Sequence, residues 1–426
     1  MSPVCARSSI QGQRLPRLAL ILTALLAPAA SRGETLLVGE LRALTGRSAG
    51  NPLEGELGKS PDDEQQPSGF LGLQARWDLD ALTQSGLDLS AWQFNLSVLR
   101  YPSSEKPVAL TEAFLRYRPI PDSAWRNQWR AGLFYAPLSL ENSEALWQPQ
   151  GFLSSSAINT WLGEEVRTTG IEWNGDWLGQ RSGSDHDLGI TLAVFCCNDP
   201  AGGLLSWRGW ALHDRQYGWG EETEFAALPA LTENGSFRSQ EAYGSPFTEI
   251  DQRYGYYASL HWQHRGGIRI ALSHYDNRGD PLAFEEGQWA WYTEFDQLSL
   301  KWQPSTDWTV LLQWLDGHTE FGRHRNRMID NRFAAGFVSF ARQWHQHRFS
   351  LRYDDFSVTD DDETPDDDNN EDGSAGTLAW QWQIDPNCLL LTEAMTIQSK
   401  RPARHYFGDA AEQSEHSLQI AIRFSW

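Results

Sequence analysis

The sequence predicts an all-β chain: a transmembrane antiparallel β-barrel of sixteen strands with short periplasmic turns and long outer loops. Three observations predict it. Apolar and polar residues alternate with period two through sixteen runs bounded by turn-forming stretches. The connections between the runs alternate short and long, as in outer-membrane barrels. The chain also opens on a secretory leader and carries 21 tryptophans in 426 residues, a supply that suits aromatic girdles at two lipid interfaces.

The leader comes first. Arg7, Arg14 and Arg17 form its basic region, Leu18–Leu26 its apolar core, and Ala27-Pro28-Ala29 a small-x-small cleavage site. Residues 1–30 are read as a cleaved signal peptide with its boundary at 29–33, and 31–426 as the barrel. The apolar core is too short for a membrane anchor, which needs roughly 20 residues. Cys5 precedes that core, so it is not a lipoprotein cysteine. Cleavage removes three arginines and no acids, moving the net charge from −21 to −24. Such acidity argues against a nucleic-acid partner. No later stretch is apolar for long enough to span a bilayer as a helix.

Strands are expected at 34–44, 68–80, 89–99, 110–118, 126–134, 165–173 and 187–196. After a gap they follow at 251–263, 267–275, 289–303, 306–316, 331–344, 347–357, 374–384, 387–398 and 413–426. Connections 264–266, 304–305, 345–346 and 385–386 are short; 276–288, 317–330, 358–373 and 399–412 are longer. In the N-terminal half, 45–67, 100–109 and 135–164 become outer loops; 81–88, 119–125 and 174–186 become periplasmic. The two halves agree if 198–250 is one long outer loop, with the alternating run Leu204–His213 a hairpin or strand inside it. If that run instead joins the wall, the count becomes eighteen. In the last strand, Ser417, Gln419, Ala421, Arg423 and Ser425 alternate with Leu418, Ile420, Ile422, Phe424 and Trp426. A terminal aromatic after such alternation resembles the signal read by barrel-assembly machinery.

The stretch Leu110–Gly170 holds the expected chemistry. Two alternating runs flank a Pro-containing turn, and a long loop over 135–165 follows, of the kind that usually carries function. Alternation points Arg42, Arg76, Arg116, Arg118, Arg126, Arg130, Arg253, Arg269, Arg352 and Arg423 into the lumen, with Arg167 beside them. Guanidinium groups stay charged and grip phosphate or carboxylate through a fixed fork, and rows of them select anions. The competing arrangement pairs them with Glu40, Asp78, Glu112, Glu164 and Glu165, leaving a weakly selective lumen. Leu138, Leu140, Leu146, Trp147, Phe152 and Trp161 are expected to anchor the loop. Glu141, Asn142, Glu144, Asn159, Glu164 and Glu165 are expected to face solute.

The segments "AFLRYRP", "RAGLFYAPLSLEN" and "SSAINTWLGEEVRTTGIEW" resemble the phosphate-selective porin-like proteins of Gram-negative outer membranes. The resemblance implies a passive porin for small hydrophilic solutes, anions preferred, with phosphate or small organic anions as cargo. It also implies a homotrimer, with outer-membrane lipid and lipopolysaccharide as surroundings. A weakly selective general porin and a surface-binding barrel with a plugged lumen are the alternatives.

Three further features complete the reading. The loop Asp360–Asp372 has nine acids in thirteen residues, and Asp368-x-Asn370-x-Asp372 matches the first half of a calcium loop. Ala379 stands where the bidentate Glu belongs, so a full EF-hand is excluded and only a weak calcium candidate remains; no other cofactor is expected. His213, His261, His274, His345 and His347 are present, but no nucleophile elbow, zinc motif or Gly-rich phosphate loop accompanies them, so a barrel hydrolase is the least favoured reading. Cys196 and Cys197 read as two small residues at a strand end, the alternatives for such a vicinal pair being a soft-metal site or a strained disulfide, with Cys388 too distant to bridge to them.

Overall fold

The computed structural model describes residues 33–61, 68–79, 89–102, 106, 108–324 and 327–426. The leader over 1–30 and the turn 81–88 lie outside them. Sixteen strands close into one barrel: β1 (Gly33–Arg47), β2 (Ser68–Asp78), β3 (Trp92–Arg100), β4 (Ala109–Tyr117), β5 (Trp125–Phe134), β6 (Thr168–Trp177), β7 (His186–Cys196), β8 (Gly255–His264), β9 (Ile268–Asp276), β10 (Tyr292–Ser305), β11 (Trp308–His324), β12 (Arg327–Trp344), β13 (His347–Asp360), β14 (Glu371–Asp385), β15 (Cys388–Lys400) and β16 (Glu412–Ser425). Each pairs antiparallel with its sequence neighbour, and β1 closes on β16 with Glu40 opposite Arg423. Closure leaves no sheet edge, the condition for a β-structure to sit in hydrocarbon.

Alternation decides which face each residue takes. Leu41, Leu71, Ile171, Leu260, Leu378 and Ile420 stand exposed on the outer wall. Trp125, Trp302, Trp308, Trp344 and Trp426 are exposed at the short-turn end. Glycine allows close approach between strands: Gly132 (φ +134) faces Gly170 across β5 and β6, and a Cβ on either would meet a main-chain oxygen at 2.3 or 2.2 Å.

The structure corrects three expectations. Residues 317–330 are not a loop, since β11 runs on to His324 and β12 restarts at Arg327. Phe321 and Ile329 explain it: both are fully buried on the inner face, Phe321 with its ring 4.5 Å from that of Trp291. The outward residues of this hairpin include His318, Glu320 and Asp330, so it stands beyond the apolar band, where lipid-facing charge costs little. β8 starts at Gly255, and Arg253 lies outside the lumen, paired with Asp280 at 2.6 Å. Leu204–His213 is neither hairpin nor strand. It begins as a short helix, Gly203–Trp207, and continues as extended chain, all of it buried.

The barrel interior holds the main core. Phe295, Phe333, Phe337, Phe356, Met395 and Ile397 from the wall pack against Ile158, Trp161, Leu162 and Trp210 from two loops that fold inward.

Candidate solute path

The first inward loop leaves β5 at Phe134 and rejoins β6 at Thr168. Its helix α1 (Ala157–Glu164) starts at Ser156, whose hydroxyl accepts from the Asn159 N–H. Trp161 sits among Trp210, Phe295 and Phe333, with ring centres 5.9, 5.4 and 5.2 Å away. The expected anchors hold: Leu138, Leu146, Phe152 and Trp161 are buried, and Leu140 and Trp147 pack against the same core.

Of the residues expected to face solute, Glu141, Asn142, Asn159, Glu164 and Glu165 are buried and only Glu144 is not. Glu141 accepts from Arg352 Nη1 at 2.6 Å, from the Ser156 N–H and from Asn159 Nδ2 at 2.9 Å each. Asn142 donates to the Trp147 carbonyl. Glu164 and Glu165 are at most 1% exposed. A polar side chain on an inward loop must satisfy itself inside the fold when apolar neighbours exclude water, and these do apart from Asn159 Oδ1, which meets no donor. Glu144 is exposed, as is the neighbouring Ser143.

The second inward loop follows β7. Helix α2 (Gly203–Trp207) is succeeded by a segment that recrosses the lumen. Arg208 grips Glu164 with both nitrogens at 2.6 and 2.7 Å, and His213 Nε2 lies 3.0 Å from Glu164 Oε1. Asp214 takes two bonds from Arg42 at 2.7 and 2.6 Å. Tyr135 donates to Gln216 at 2.6 Å, and the Trp219 N–H donates to the Leu110 carbonyl. Burial alone would raise the Glu164 carboxyl, but Arg208 and His213 outweigh it and hold it at about 2. Glu165 meets only N–H donors close by, from Leu204 and Trp161, and burial pushes it up to about 7. Lys59, fully buried against Glu371 at 2.6 Å, is driven down to about 7 by burial.

The arginines divide into two groups. Several are neutralised in place: Arg76 by Glu34, Arg126 by Asp176 at 2.6 Å, Arg130 by Glu172 at 2.7 Å, and Arg423 by Glu40 at 2.7 Å. Arg352 is fully buried, bonded to Glu141, Asp354 and the Ser154 and Ser155 carbonyls. Arg167 is fully buried too, its guanidinium 3.7 Å from the Tyr135 ring centre and bonded to the Thr111 carbonyl. Neither meets solute as alternation alone suggested. Glu112 accepts from Ser97 at 3.1 Å. Among the described residues of the lumen that are not fully buried, Arg116, Arg118, Arg269, Lys301 and Arg348 have no carboxylate at ion-pair distance, against Asp78, Glu112, Glu144 and Asp187 as acids without a cation. Arg116 has Arg76, Arg118 and Arg130 as like-charged neighbours; Lys301 has Arg269 and Arg348, with Arg269 its cross-strand partner.

No protein-family model and no curated protein matches this sequence. Solved structures match its fold. The outer-membrane channel DcaP of Acinetobacter baumannii is 10% identical, aligns over 94% of this chain and 99% of its own, and gives a TM-score of 0.54. Salmonella typhi OmpF, in complex with daunomycin, is 7% identical over 93% and 98%, at 0.50. The anion-selective porin from Comamonas acidovorans is 11% identical over 93% and 100%, at 0.48. At these identities the likeness to the first two is one of fold alone.

Two cavities lie beside the crossing segment. The outer one, about 970 Å³, is lined by Glu54, Glu56, Glu221, Glu222, Glu224 and Asp409 against Lys106, Arg215 and Arg404. A second, about 1050 Å³, takes in Glu40, Arg42, Ser154, His213, Asp214 and Gln419, and shares Leu53 and Arg215 with the first. Sequence reasoning missed Arg208, Asp214 and Arg348. The first two lie in a loop without periodicity. Arg348 had a usable signal, because Arg348, Ser350 and Arg352 alternate inward along β13.

Cys196 and Cys197 are joined in a disulfide at the end of β7, the alternative to their reading as two small residues, and Cys388 is free and buried. The expected calcium run does not converge. Asp368 Oδ1 is taken by the Asn370 backbone and side-chain N–H groups, while Asp372 points outward from β14. His261 faces the lumen against Asp176 at 3.0 Å.

Proposed function

We propose that the chain is an outer-membrane porin that passes small hydrophilic solutes by diffusion, with anions favoured. The barrel fold, its apolar outer band and its tryptophan belt support the location. The observation that carries the preference is the clustering of cations without a carboxylate in the wetted lower lumen, Arg116 beside Arg118 and Lys301 beside Arg269 and Arg348, five in all against four acids without a cation. Solute would move along the β1, β2 and β16 side, past Arg42, Asp214 and the Glu40–Arg423 pair, into a basic lower vestibule. Phosphate is the anion that the resemblance implies; the residues suit small carboxylates equally. A homotrimer set in lipid and lipopolysaccharide belongs to the same proposal.

The test is the reversal potential of the purified protein in a planar bilayer under a potassium chloride gradient. An anion-selective potential supports the proposal, and a cation-selective one means that the acidic outer cavity controls passage. A second reading has its own observation: the two inward loops fill much of the lumen with a dry core. Absence of conductance would favour that plugged, surface-binding barrel.

A further inference from the structure

The second inward loop leaves β7 at Cys196 and returns to β8 at Gly255. Its two feet meet, the Asp199 N–H donating to the Thr248 carbonyl at 3.3 Å. Three carboxylates converge at this point. Asp199, Glu249 and Asp251 each offer one oxygen, and these oxygens all lie within 4.8 Å of one another. Among the described residues, none of the three has a basic side chain at ion-pair distance, and Arg253, two residues on, is committed to Asp280 at 2.6 Å. Like charges at this spacing oppose one another, so the group holds a proton or a cation.

The oxygens left over favour the cation. Glu249 Oε1 is buried and meets no donor, while Oε2 accepts from the Cys197 N–H at 3.0 Å. Asp199 is 1% exposed; its Oδ2 takes the Ile250 and Asp251 N–H groups, and its Oδ1 takes none. Asp251 accepts from the Arg253 and Asp280 N–H groups. Main-chain bonds thus fix all three carboxylates and leave one oxygen free on each of two neighbours. A single proton would neutralise one charge of the three. Burial, with Asp251 and Glu249 beside it, pushes the Asp199 carboxyl up to about 7 against its two main-chain donors, so near neutral pH no proton is held firmly there. Oxygens on opposite sides of a calcium ion stand about 4.6–5.2 Å apart, twice the bond length, so three within 4.8 Å can share one ion. The Cys196 and Cys197 sulfurs also lie within 4.8 Å of a Glu249 oxygen, but joined in a disulfide they are not thiolate ligands, which leaves an all-oxygen set suited to a hard cation. We propose that a divalent cation of calcium's class binds among Asp199, Glu249 and Asp251 and fastens the two feet of the second inward loop. That loop carries Arg208 and Asp214 to their partners Glu164 and Arg42, so the ion steadies the crossing segment from its root.

The experiment titrates calcium chloride into the metal-stripped, folded full chain at pH 7.5, by calorimetry and by thermal unfolding. The expected result is a saturable site and a melting temperature that rises with calcium. Glu249→Gln keeps an acceptor for the Cys197 N–H and removes the charge; it should weaken binding roughly tenfold or more and flatten the thermal response. Glu233→Gln, at an exposed acid elsewhere on the same loop, should leave both intact. If Glu249→Gln does not fold, Asp251→Asn serves with the same expectation. A flat wild-type isotherm would overturn the proposal and leave the three carboxylates neutralised by a proton. Wild-type affinity in the Glu249 variant would overturn it too, placing the binding at other acids. Neither readout depends on which solute the barrel passes.

Discussion

Replacing Arg352 with Met asks what holds the first inward loop in the lumen. Arg352 ties β13 to the loop through Glu141 at 2.6 Å and the Ser154 carbonyl at 2.8 Å, and it also neutralises Asp354 at 2.8 Å. All three side chains are at most 1% exposed. The methionine fills similar volume but strands two carboxylates where water does not reach. Breaking a buried pair from one side costs about 3–5 kcal/mol. The lost carbonyl contacts are part of the same event and are not added separately. At roughly 2 °C per kcal/mol for a long chain, the melting temperature should fall by about 6–10 °C. Adding Glu141→Gln and Asp354→Asn removes both stranded charges and should restore more than half of that loss. The assay is thermal unfolding in detergent, followed by the gel-mobility change of barrel opening, with bilayer current noise reporting loop release. A variant melting within about 2 °C of wild type would refute the reasoning. The packing of Trp161 against Phe295 and Phe333 would then be the dominant restraint.

Three other outcomes are expected. Trp161→Ala removes a fully buried ring and should destabilise by about 3–5 kcal/mol, read as a lower urea midpoint; an unchanged midpoint would mean that the cavity collapses. Arg116→Glu, or Lys301→Glu together with Arg269→Glu, should move the reversal potential toward cations, and a potential that stays put would show that these groups lie off the solute path. Glu165 sits at about 7 in the fold against an ordinary 4.5, so its contribution to stability is present in full below pH 4.5 and lost as pH rises through 7. Glu165→Gln should therefore match wild type near pH 4.5 and exceed it at pH 8 by about 3 kcal/mol. An equal difference at both pH values would exclude titration of Glu165 as the cause.

The wall was legible because a membrane barrel writes itself into sequence with period two. Sixteen expected strands match sixteen observed ones, and the largest error, at 317–330, came from weighting polar residues above the alternation that Phe321 and Ile329 continued. The loops were legible only in part. Leu138, Phe152 and Trp161 were identifiable as anchors because an apolar side chain on a loop needs something to pack against. Their partners could not be named, since Phe295 and Phe333 lie more than a hundred residues away.

Charge was the least legible property, for a reason specific to barrels. Alternation gives the direction in which Arg352 and Arg116 point, and it is the same direction for both. It does not say that Glu141 will descend onto the first and that only Gln93 will meet the second. An inward arginine becomes structural when a loop brings it a carboxylate and stays available when none arrives. Loop position, set by long-range apolar packing, thus decides which inward cations remain in the lumen field. The argument carries over to Arg208 and Glu164, whose bidentate pair joins the two inward loops. Releasing either loop would expose both charges at once, so opening the lumen and changing its charge are one event in this barrel.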